Sequence, residues 1–161
     1  MASSGWSLAQ LLGRARGEEM SQLWEILQAK GNEVFRIDAG ATVFDAIERM
    51  VEANVGALLV GEKGKIVGIV TERDYLRRVA LEGRTDRETR VGEIMSSPLV
   101  TVTPETGVDE CMVLMTERRI RHAPVLEGGE VVGVVSIGDL VKFVSREQSH
   151  QIRYLTDYIS S

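Results

Sequence analysis

The chain repeats itself. When Val43 is laid on Val108, the residues Met50, Glu52, Val60, Glu62, Gly64, Val67, Gly68, Val70 and Asp74 fall on Met115, Glu117, Val125, Glu127, Gly129, Val132, Gly133, Val135 and Asp139 without a gap. Most exchanges between the copies keep their character, as in Ile37/Val102, Asp45/Glu110, Ile66/Val131, Ile69/Val134 and Thr71/Ser136. One supersecondary unit used twice has to share one packing scheme and one chain path, so this feature restricts the fold more than any other. The copies differ where the chemistry is expected: Gly56-Ala57 stands in the first where Arg121-His122 stands in the second.

Each copy reads as strand, helix, strand, strand, helix, an α+β plan. In the first, an amphipathic segment around Leu23–Leu27, closed by Gly31, leads to a strand near 33–37. Thr42 with Asp45 three residues on is a capping-box pattern, and Val43, Ala46, Ile47, Met50 and Val51 follow at helical spacing. The runs 57–60 and 66–70 flank the turn Glu62-Lys63-Gly64-Lys65 as a strand pair, and a helix starts near Thr71. The second copy predicts a strand at 101–103, a helix over 108–119 with Cys111 in the place of Ala46, strands at 123–126 and 131–135, and a last helix from Ser136 that runs, with a break, to Ile159. The charged stretch 82–90 reads as an exposed linker. The division is an N-terminal extension 1–19, a first motif 20–84, a linker with a short helix 85–98, a second motif 99–147 and a helical tail 148–161. Units of this size bury too little surface to stand alone comfortably, so the two are expected to pack sheet against sheet.

Composition excludes several classes. With 161 residues, 43% of them hydrophobic and 27% charged, the chain has ordinary globular content, and its apolar runs are far too short to span a bilayer. A net charge of −5 argues against a nucleic-acid partner, while Arg118, Arg119, Arg121 and His122 form a local basic cluster suited to a small anion. Cys111 is the sole cysteine, so an intrachain disulfide is impossible and a reducing compartment is implied. Two histidines and one cysteine give no metal-ligand spacing and no nucleophile. Neither a catalytic residue nor a metal site is expected. The segment 1–17 is a poor transit peptide because it runs into Glu18 and Glu19, which favours a cytoplasmic protein; a mitochondrial or plastid address is the alternative if the extension is a transit remnant.

Two stretches carry a family resemblance. Gly68-Ile69-Val70-Thr71-Glu72-Arg73-Asp74 and Gly133-Val134-Val135-Ser136-Ile137-Gly138-Asp139, supported by Val102–Thr106 and Arg119–Val125, resemble the signature of the cystathionine-β-synthase-type (CBS) domain. The chain is similar to a stand-alone tandem CBS pair, or Bateman module, over roughly residues 20–147. The resemblance implies a pseudo-two-fold pair of motifs with small sheets flanked by helices. It also implies clefts between the motifs that bind AMP, ADP, ATP or S-adenosylmethionine, and a regulatory, energy-sensing role as a homodimer acting on an unidentified protein. No obligatory cofactor follows from it. A ligand-independent dimerising or partner-binding scaffold, with a thioredoxin link suggested by plant members of similar layout, is the alternative.

The chemistry of the signature can be argued directly. A helix-start aspartate accepts hydrogen bonds on both oxygens, which suits the vicinal hydroxyls of a ribose, and assigns that role to Asp74 and Asp139. Thr71 and Ser136, with free N–H groups at a helix start, suit a sugar or phosphate oxygen. The same Thr-x-x-Asp and Ser-x-x-Asp patterns also serve simply to cap a helix. Arg121 and His122 are candidates for a phosphate, Thr103 for a contact at the strand-to-helix entry, and Ala57 and Ala123 for the strand beside the ligand. Because only the second copy has Arg121 and His122, a phosphorylated nucleotide is expected to prefer the Ser136–Asp139 side.

Overall fold

The computed structural model describes residues 21–160. The extension expected at 1–19 lies outside the described residues. Mixed helices and small sheets, with the helices flanking the sheets, make up both halves of the chain.

The described elements are α1 (Leu23–Lys30), β1 (Arg36–Asp38), α2 (Val43–Ala53), β2 (Ala57–Glu62), β3 (Lys65–Thr71), α3 (Glu72–Tyr75), α4 (Val91–Ile94), α5 (Val108–Arg118), β4 (His122–Glu127), β5 (Glu130–Ser136) and α6 (Ile137–Ser160). They gather into two compact units. One consists of residues 33–101, and the other joins 102–160 to residues 21–32. The unit boundaries therefore do not follow the repeat boundaries. Helix α1, which precedes the first copy in sequence, contributes Leu23, Ile26 and Leu27 to the core of the second. Helix α4, which precedes the second copy, contributes Val91 and Ile94 to the core of the first.

In the 33–101 unit, β1 pairs parallel to β2 and β2 antiparallel to β3, giving the order β1-β2-β3. Lys63 and Gly64, both at positive φ, make the tight turn between β2 and β3. Thr42 caps α2 as its sequence predicts: its Oγ1 accepts the Asp45 N–H at 3.1 Å and its own N–H donates to Asp45 Oδ2 at 3.2 Å. The stripe of α2 is narrower than its spacing suggests, since Val43, Ala46 and Met50 are buried but Val51 is exposed. Helix α3 passes into a π-helical turn over Leu76–Ala80, where Val79 enters the core and Leu76 faces solvent. The stretch 82–90 is exposed except at Asp86 and Thr89; Thr89 is buried, and its hydroxyl donates to the Thr85 carbonyl at 2.7 Å.

The other unit repeats this plan with β4 antiparallel to β5 and a turn at Gly128-Gly129, again at positive φ. Its first strand is reduced. Residues 101–103 form only a single parallel bridge, Val102 to Val125, because Pro104 and the Thr103–Thr106 turn take the chain away at once. Helix α6 runs without a break. Its beginning is anchored by the fully buried Leu140, whereas Val141, Ile152, Leu155 and Ile159 further along are exposed.

Candidate functional site

Strand β5 delivers Ser136 to the start of α6, and a capping box fixes the turn. The Ser136 N–H donates to Asp139 Oδ2 at 2.8 Å, and the Asp139 N–H donates to Ser136 Oγ at 3.1 Å. A third group meets the same oxygen: Lys30, the last residue of α1, donates its ammonium to Asp139 Oδ2 at 2.6 Å and to the Val134 carbonyl at 2.7 Å. Burial raises the pKa of Asp139, but the Lys30 ammonium and the Ser136 N–H outweigh it and hold the carboxyl below the usual carboxylate range. Asp139 Oδ1 accepts no hydrogen bond among the described residues. The site thus offers one ionised, half-satisfied carboxylate.

The other expected residues of this unit lie on or beside strand β4 and in the turn after residue 102. His122 is partly buried and stands directly opposite Ser136 in the β4–β5 ladder. Arg121 is exposed, and its carbonyl accepts the Ile137 N–H at 2.9 Å, which ties it to the start of α6. Thr103 is exposed and its N–H donates to Thr106 Oγ1 at 3.1 Å, a local turn bond. Ala123 has no exposed surface and sits in the core, so its side chain has nothing to offer a ligand.

The equivalent position in the 33–101 unit is closed. The Thr71 N–H and hydroxyl donate to Asp74 Oδ2 at 2.9 and 3.1 Å, and the Asp74 N–H donates to Thr71 Oγ1 at 3.2 Å. Ser96, just after α4, donates its hydroxyl to Asp74 Oδ1 at 3.2 Å. Both oxygens are engaged, and Asp74 is buried. Ala57 is partly buried opposite Thr71, with no cationic side chain on its strand before Glu62. Arg78 is used internally, donating to the carbonyls of Ile94 and Met95.

Sequence reasoning missed Lys30 and Ser96. A lysine ending a helix ordinarily reads as a solvated cation favoured by the C-terminal dipole, and nothing local ties it to an aspartate 109 residues away. The repeat did contain a signal: the offset that aligns the copies also sets Lys30 on Met95 and Gly31 on Ser96. Cys111 occupies the core as its match to Ala46 predicts, and burial, with the neighbouring Glu110 charge, pushes its thiol up to about 11. Among the described residues, no group of acids, histidines and cysteine is gathered to hold a metal ion, and no helix is long and apolar enough to cross a membrane.

A family model described as CBS domain matches residues 31–81 and 91–146. The CBS domain-containing protein CBSX3, mitochondrial, of Arabidopsis thaliana is 41% identical over 152 residues, covering 89% of this chain and 74% of the relative. A protein with CBS domains from Burkholderia ambifaria is 48% identical with a TM-score of 0.74, covering 77% of this chain and 93% of that one. The CBS domain pair of protein MJ0100, solved with 5′-methylthioadenosine and S-adenosylmethionine, has a TM-score of 0.69 at 22% identity, covering 79% and 98%, a likeness of fold alone.

Proposed function

This chain belongs to the CBS-domain family and is a CBS-domain pair, a regulatory module, and on that footing we propose that it binds an adenosine-containing ligand through the unit carrying Asp139 and signals by a change of conformation or assembly. The observation that carries the reading is the state of the Asp139 carboxylate. It is ionised, partly exposed, and has one oxygen with no partner among the described residues. A ribose hydroxyl donating to Oδ1 would gain a charge-assisted hydrogen bond, worth about 1.5–3 kcal/mol. Ser136 caps the same turn, with His122 opposite it in the ladder and the Arg121 carbonyl tied to the start of α6, and AMP, ADP, ATP and S-adenosylmethionine all present the required diol. The site calls for no catalytic step. Its output is a shift between states, which a ligand produces only through different affinity for the two.

A second reading is favoured by one observation. Val141, Ile152, Leu155 and Ile159 leave α6 with an exposed apolar face, which suits association with a second copy. A homodimer is compatible with ligand sensing, or it is the whole function if the module is a scaffold. A thioredoxin link finds no help from Cys111, whose buried thiol is a poor nucleophile. For the compartment, the word mitochondrial in the name of the Arabidopsis relative agrees with the organellar alternative to a cytoplasmic address.

Titration of the full chain with adenosine, AMP, ATP and S-adenosylmethionine tests the reading. Saturable binding of at least one is expected, and silence toward all four leaves the scaffold. Light scattering at tens of micromolar protein should give a dimer mass that Ile152→Glu with Leu155→Glu reduces to the monomer. A monomer before mutation removes the assembly part.

A further inference from the structure

We propose that Lys30, Lys142 and Arg146 form a subsite for the phosphate chain of a nucleoside di- or triphosphate, next to Asp139. The proposal rests on the reading above for the sugar contact and sharpens it by choosing among the adenosyl ligands.

The three cations line one basin with Asp139, over a floor that includes Ile26 and Phe143. Its geometry follows from the helix. Lys142 and Arg146 come three and seven residues after Asp139 on α6, so the carboxylate and both cations share one face. Lys30 reaches the same face from the end of α1. Among the described residues lining the basin, a single carboxylate stands against these three positive charges, and it is matched by Lys30. Lys142 and Arg146 are exposed and form no ion pair among the described residues. Glu147, the next acid along α6, comes five residues after Lys142 and so lies well round the helix from it. The basin therefore has about two uncompensated positive charges beside a hydrogen-bond acceptor.

That combination selects a ligand class. A neutral nucleoside uses only the acceptor, and S-adenosylmethionine brings a cationic sulfonium toward like charge. A polyphosphate uses everything. Lys142 and Arg146 are about 6 Å apart along the helix axis, so a chain of phosphates, with its greater charge and length, can engage both without the two cations converging on one group. Lysine supplies a mobile point charge and arginine a fork that fits phosphate oxygens. Neither Arg121 nor His122 lines this basin, so the assignment moves the phosphate away from the residues that the sequence suggested. The opposing account is a basic helix face that binds only water.

Calorimetric titration of the full chain with adenosine, AMP, ADP, ATP and inorganic tripolyphosphate decides it, on wild type, on Lys142→Ala with Arg146→Ala, and on Lys65→Ala as a charge control in the other unit. ATP should bind at least 10-fold more tightly than adenosine, tripolyphosphate should compete with ATP, and the double variant should collapse the ATP-to-adenosine ratio toward one while the control keeps it. If ATP and adenosine bind equally to wild type, or the ratio survives the double variant, the subsite is wrong while the adenosyl reading stands. If tripolyphosphate binds and the double variant loses it, but adenosine and ATP show no sugar-dependent binding, the adenosyl reading is what fails.

Discussion

The two helix-start aspartates occupy the same position in two copies of one unit, yet one is closed and the other half open. In the 33–101 unit, Ser96 does two jobs: its N–H donates to the Ile69 carbonyl at 2.8 Å and its hydroxyl to Asp74 at 3.2 Å. In the other unit a single ammonium does both, since Lys30 reaches Val134, the match of Ile69, and Asp139, the match of Asp74. A neutral side chain locked to its backbone has been replaced by a mobile charge. The first arrangement engages both carboxylate oxygens, and the second keeps the carboxylate ionised with one oxygen spare. The same scaffold thus holds one aspartate bonded at both oxygens and one bonded at a single oxygen.

The close approaches behind these sites give the largest expected difference. A Cβ on Gly68 would lie 2.7 Å from Met95 Sδ and 2.8 Å from the Ser96 carbonyl oxygen, whereas a Cβ on Gly133 would meet only side-chain atoms of Leu27, the nearest at 2.6 Å. A leucine side chain can swing and a paired backbone carbonyl cannot. Gly68→Ala should cost about 3 kcal/mol and Gly133→Ala about 1 kcal/mol in thermal or denaturant unfolding. Equal costs would mean that the chain after α4 is held no more rigidly than α1.

The ion pair gives the next effect. Lys30→Met should destabilise the protein by about 1 kcal/mol near neutral pH, where a partly exposed pair contributes modestly. The pH dependence has a definite sign. The Asp139 pKa is lowered in the folded state, so its contribution is complete above the unfolded value of about 3.9 and is lost as pH falls through the folded one. The difference in stability between wild type and Lys30→Met should therefore shrink in acid. A difference that persists there would assign Lys30 a packing role.

Cys111 gives an effect on stability as small as that of the ion pair, and none on binding. Its counterpart in the other core is Ala46, so Cys111→Ala should cost about 1 kcal/mol and leave ligand affinity unchanged. With its thiol near 11, only roughly one molecule in ten thousand is thiolate at pH 7, and native-state alkylation should be slow. Fast alkylation coupled to loss of binding would revive the redox reading.

Much of this was legible in the chain. The strand pairs, their positive-φ turns and the capping boxes of Thr71 and Ser136 are local patterns that the repeat states twice, and the Thr42 box is a local pattern of the first copy alone. What stayed hidden is set at long range. Nothing in the period of Leu23, Ile26 and Leu27 says which copy they pack against, and they joined the second. The short strand expected at 101–103 became one bridge because Pro104 turns the chain, and Val51 is exposed although its spacing fits the buried stripe. Around Asp74 and Asp139 the sequence offered the capping partners Thr71 and Ser136 but not Ser96 and Lys30, because these arrive from segments outside the signature.

The central claim is that the two aspartates are unequal, and calorimetry with ATP on Asp139→Ala and Asp74→Ala, side by side, tests it most directly. Removing the open carboxylate should weaken the tight site by roughly 10- to 150-fold, while removing the closed one should change stability more than affinity. If Asp74→Ala abolishes tight binding and Asp139→Ala leaves it intact, the assignment of the open and closed sites is reversed.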